Sequence, residues 1–78
     1  MNKMVVKDCS ALEEFVRAAS LIQKQFFEHQ IQFGQARAAL KNLLVEVETD
    51  NPDCRHELKR AAAQIDQEIS CEQLKRTT

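Results

Sequence analysis

Cys54-Arg55-His56 is one of the few places in this sequence where chemistry could reside. A Cys-x-His pair can supply two of the four ligands of a structural zinc site. No second Cys or His pair lies nearby, so no metal is expected. His29, Cys71 and Glu72 are the next candidates. If two helices fold back on one another, His29 falls opposite Glu72 and near Cys71. Such a grouping could act as a pH-sensitive lock. The expectation is the simpler role, a polar pair of His29 and Glu72 that fixes the register of a helical hairpin. Cys9 precedes an expected helix N-terminus, a position that lowers a thiol pKa, but no His or acid is placed by the sequence to complete a catalytic dyad with it.

The carboxylates Glu13, Glu14, Glu68 and Glu72 are adjacent or at helical spacing, which suits a solvated face more than an acid/base pair. Neither a G-x-S-x-G nor an H-E-x-x-H motif is present, and a lone Gly34 cannot build a phosphate-cradling loop. The chain is therefore read as non-enzymatic, with no cofactor and no small-molecule substrate. Arg55, Lys59 and Arg60 form a small basic patch. Asp53, Glu57 and Asp66 interrupt it, and the net charge is -1, so a nucleic-acid-binding regulator is only a distant alternative.

The elements that hold these side chains are few. The 78 residues contain one Gly and one Pro, too little turn chemistry for a sheet-rich fold. Apolar residues make up 44% and charged residues 29%, which suits a folded chain rather than a disordered one. No apolar run is long enough to cross a bilayer, and the start, MNKMVVKDCS, lacks the apolar stretch of a signal peptide. The expected address is cytoplasmic, or outside the cytoplasm by an export route that needs no such signal, with no membrane partner. Three cysteines at irregular spacing read as reduced thiols behaving as small hydrophobes.

Ser10 and Glu13 form an S-x-x-E capping box. From there Leu12, Ala19, Phe26, Phe33, Leu40 and Val47 recur every seven residues, and Phe15, Ile22, His29, Ala36 and Leu43 form the companion series. These are the a and d positions of a heptad whose phase never slips. The unbroken phase predicts one long helix over 10–48. Asn51 and Pro52 then start a second, shorter helix over 52–75. Residues 1–9 read as a flexible arm and 10–78 as one helical-hairpin domain. The fold class is all-α, an antiparallel hairpin completed by dimerisation or by a partner. A three-helix bundle broken near Gly34 is the alternative.

Folding the hairpin about its turn sets Val47 near Cys54, Leu43 near Leu58, Leu40 near Ala61 and Ala62, Ala36 near Ile65 and Phe33 near Ile69. The short helix then ends before it can cover the first part of the long one. An exposed apolar row of that size marks an interaction surface. The expected partner-binding residues are Leu12, Phe15, Val16, Ala19, Ile22, Phe26, Phe27 and Ile31. The partner would be a helical segment of another protein, or a second copy of this chain in a four-helix bundle with a structural or regulatory role. Phe27, Ile31, Gly34, Ala38 and Val45 form a second stripe, as on a helix packed on two sides. In size and expected shape the chain is similar to small adaptor or chaperone subunits, including those of secretion systems. The function expected is a protein-interaction module of that kind.

Overall fold

A computed structural model describes residues 9–77. Those residues form an all-α fold of three α-helices and no strand: α1 (Ser10–Phe27), α2 (Phe33–Asp50) and α3 (Arg55–Thr77), with a 3-10 turn (Pro52–Cys54) leading into α3. Each helix packs against the other two. The arm expected over residues 1–9 lies outside the described residues except for Cys9.

The single helix expected over residues 10–48 is corrected to two. The break falls at residues 28–32, just before Gly34, close to where the three-helix alternative set it; Gly34 itself sits inside α2 as its second residue. The cause is a left-handed cap at the end of α1. His29 adopts φ 64°. Its amide donates to the Phe26 carbonyl (3.0 Å), and the Gln30 amide donates to the Gln25 carbonyl (2.8 Å). These two bonds satisfy carbonyls that the ending helix leaves open, in the geometry usually supplied by a glycine after the C-cap. The chain reverses, and the Gln32 amide donates to Gln35 Oε1 (2.9 Å) to start α2.

The heptad survives the break because each helix still has to turn one face inward. Phe15, Ala19, Phe26, Ala36 and Leu40 are buried, and Leu12, Ile22, Phe33, Leu43 and Val47 pack against them. From α3 come Leu58, Ala62, Ile65 and Ile69. Ala19 and Ala36 are fully buried, as are the much larger Phe15, Phe26, Leu58 and Ile69. Large residues beside small ones let the helix surfaces interdigitate. Each buried Phe contributes roughly 2–3 kcal/mol relative to exposure. The α2/α3 ion pairs Arg37–Asp66 (2.9 Å) and Arg55–Glu48 (3.9 Å) have the register of the ladder from Phe33 against Ile69 to Val47 against Cys54.

The helix starts differ from expectation in detail. Cys9, not Ser10, is the N-cap of α1, and it makes no side-chain cap bond. Asn51 directs its amide backwards, donating from Nδ2 to the Val47 carbonyl (3.0 Å), so it closes α2 as much as it introduces Pro52.

The expectation of three reduced thiols is also corrected. Cys9 and Cys54 are joined in a disulfide, and Cys71 is free and exposed. With the chain reversed at residues 28–32, the start of α1 and the start of α3 lie at the same end of the molecule, and the two Cα atoms are 6.1 Å apart.

Two stability predictions follow from these linkages. His29→Gly relieves the left-handed strain at the α1 cap and raises stability by about 1 kcal/mol in urea melts; a loss of stability would show that the cap is not formed. The disulfide closes a 45-residue separation, for which chain entropy gives ~4 kcal/mol. Reduction should lower the melting temperature by roughly 15–30 °C, and an unchanged melt under dithiothreitol contradicts the staple.

Candidate interaction surface

The residues expected to meet a partner are divided by the fold. Phe15, Ala19 and Phe26 are buried within the chain's own core. Leu12, Ile22 and Ile31 are half-buried and pack against it. Of the set, Val16 (38%) and Phe27 (42%) remain exposed. The cover that a two-helix hairpin lacks is supplied by α3 packing against α1. On the second stripe, Gly34, Ala38 and Val45 are exposed on α2.

His29 and Glu72 are drawn into different local arrangements. The His29 side chain is exposed in the reversal. Glu72 accepts from Arg76 Nε (3.1 Å) within α3. Arg76 then reaches across to α1: Nη2 donates to the carbonyls of Phe26 (2.9 Å) and Phe27 (3.3 Å), and its guanidinium lies 4.2 Å from the centroid of the Phe26 ring. One cation thus caps the negative end of α1, stacks on its last core aromatic and pairs with its own helix. Arg76 was legible in the sequence only as a basic residue near the end of the chain.

Cys54 is in a disulfide, so the Cys-x-His pair with His56 does not offer two metal ligands. Arg55, Lys59 and Arg60 are exposed at the start of α3, and Arg55 faces Glu48 at 3.9 Å.

The helices leave clefts of unlike character. Between α1 and α3 the lining mixes polar residues, Gln23, Gln64 and Gln67 among them, with Phe27 and Cys71, and Gln23 Nε2 donates to Glu68 Oε1 across it. Between α2 and α3 lies an open groove of about 580 Å³. Its floor and walls are Ala38, Leu40, Leu44, Ala62 and Ala63. Arg37 and Asp66 span one end, with Arg37 Nε donating to Asp66 Oδ1 (2.9 Å) and the guanidinium 5.6 Å from the Phe33 ring centroid. Lys41 stands on the α2 wall and Lys59 on the α3 wall. The small alanine side chains leave this groove open to solvent. Sequence reasoning missed this groove because it assigned Leu40, Ala61 and Ala62 wholly to hairpin packing. The Ala38 stripe was its one visible trace.

Among the described residues no helix is long and apolar enough to cross a membrane. Comparison with protein-family models, with curated proteins and with solved structures returns no match.

The role of Arg76 is directly measurable. Arg76→Ala removes two bonds to carbonyls, one ion pair and one ring contact, and should cost about 2–3 kcal/mol of unfolding free energy. Glu72→Gln, which removes only the ion pair, should cost under about 1 kcal/mol. Equal effects of the two changes would contradict the capping role.

Proposed function

We propose that the chain is a non-catalytic protein-interaction module, adaptor-like or chaperone-like, that acts as a three-helix unit and receives a helical segment of another protein. The observation that carries this reading is the open apolar groove between α2 and α3. The core is already covered from within by three helices, so dimerisation is not needed to bury Phe15 or Phe26. The groove is different: Ala38 and Ala63 are exposed there, and Leu44 is half-buried. Apolar grooves between helices are a standard seat for an amphipathic helix with anchors at i, i+3, i+4 and i+7. The Cys9–Cys54 cystine favours work in an oxidising compartment over the cytoplasmic address expected from the sequence, since cystines seldom persist in a reducing cytosol.

The test is crosslinked capture from the producing cell, run with wild type, Ala63→Glu and Leu21→Asp. Ala63 lies in the groove and Leu21 is 57% exposed on α1. Both variants should keep the wild-type helicity. A partner lost with Ala63→Glu and kept with Leu21→Asp supports the groove as the working surface. Loss with Leu21→Asp alone moves the surface to α1. Capture that neither variant changes overturns the reading. Sedimentation of the pure chain should show a monomer, and a stable dimer would replace the proposal with a homodimeric one.

A further inference from the structure

The rim of the groove is charged where its floor is apolar. Of the charged groups on its rim, Arg37 and Asp66 neutralise one another. Lys41 and Lys59 have no acidic partner among the described residues. Their helical neighbours make this a property of the sequence. At three and four residues on either side, Lys41 has Arg37, Ala38, Leu44 and Val45, and Lys59 has Arg55, His56, Ala62 and Ala63. None is acidic, so neither ammonium can be quenched within its own helix. The two lysines stand on opposite walls, away from the end bridged by Arg37 and Asp66. In a chain of net charge -1, the groove mouth is a local positive clamp above an apolar floor.

Resting on the module reading above, we infer that the occupant is an amphipathic helix with large aliphatic or aromatic side chains on its buried face. Carboxylates flank that face on both sides, facing Lys41 and Lys59. The apolar face supplies affinity against Ala38, Leu44, Ala62 and Ala63. The two carboxylate rows set orientation and reject basic helices, because a like charge beside each lysine is repelled as the rim is desolvated.

The probe is a pair of synthetic 18-residue helical peptides with the same leucine face and one Trp. One peptide carries Glu on both flanks and the other carries Lys. The protein contains no Trp, so the peptide's fluorescence anisotropy reports binding directly. The Glu-flanked peptide should bind, with an affinity that falls as salt rises. The double variant Lys41→Glu/Lys59→Glu should weaken it at least tenfold and should gain binding of the Lys-flanked peptide. Both lysines are exposed, and matching melting temperatures would confirm that the fold is intact. Ala63→Glu should weaken the Glu-flanked peptide without unfolding the chain. Equal binding of both peptides by the wild type, or binding of neither, overturns the inference. Self-association of the pure chain that Ala63→Glu abolishes also overturns it, since the occupant would then be a second copy. If neither peptide binds while Ala63→Glu still loses the captured partner, the charge inference fails and the module reading stands.

Discussion

Arg76 governs the end of the molecule at which the chain reverses. A helix that stops at Phe27 leaves its last carbonyls without intrahelical donors, and the carbonyl of the buried Phe26 has little access to water. The amides of His29 and Gln30 answer part of this deficit. Arg76 supplies the rest from another helix. It can do so only because α3 is longer than α1, 23 residues against 18, so that its last turns overhang the reversal. The length of α3, the stop of α1 and the direction of α2 are therefore one coupled feature. Lengthening α1 through residues 28–32 would remove the acceptors Arg76 uses and strip Phe15 and Phe26 of their cover.

The opposite end is fixed by a different force. There Cys9 and Cys54 join α1 to the start of α3 covalently. α1 and α3 are thus bound at both extremities, by a cystine at one end and a guanidinium at the other, with the Gln23–Glu68 bond between. α2 is held to α3 by the apolar seam and by two ion pairs, one exposed (Arg37–Asp66) and one loose at 3.9 Å with a half-buried Glu48 (Arg55–Glu48), which contribute little energy. The α1/α3 side is stapled and its cleft is of mixed polarity, whereas the α2/α3 side keeps an apolar floor.

The heptad identified nearly every core position on α1 and α2, because a seven-residue period reports which side chains face inward. It does not report whether the backbone between them is continuous. His29 was the one polar member of the repeat, and it marks the interruption. The usual signal for such a stop is glycine, and here the left-handed position is filled by histidine, while the only glycine lies five residues on within a helix. Once the reversal is missed, the rest follows. A two-helix hairpin sets Cys9 far from Cys54, leaves the first turns of α1 bare and gives Arg76 nothing to cap. An odd cysteine count added to this, since one free thiol hides a bonded pair. The α2/α3 ladder was legible because Asn51 and Pro52 announce the turn between those helices and the alternation of large and small residues fixes its register.

A net charge near zero says little about a surface, since charges matter over about one Debye length, roughly 8 Å in physiological salt. At that range the groove mouth and the rest of the molecule are separate electrostatic environments. Of the acidic residues that balance the total, only Asp66 lines the groove, and it is bonded to Arg37. Exposed ammonium groups seldom add much affinity, because water screens them and their long chains lose entropy when fixed. Their effect is on discrimination. An apolar groove accepts any helix with a suitable face, and two unquenched lysines on facing walls are a simple means by which this groove can distinguish one helix from another.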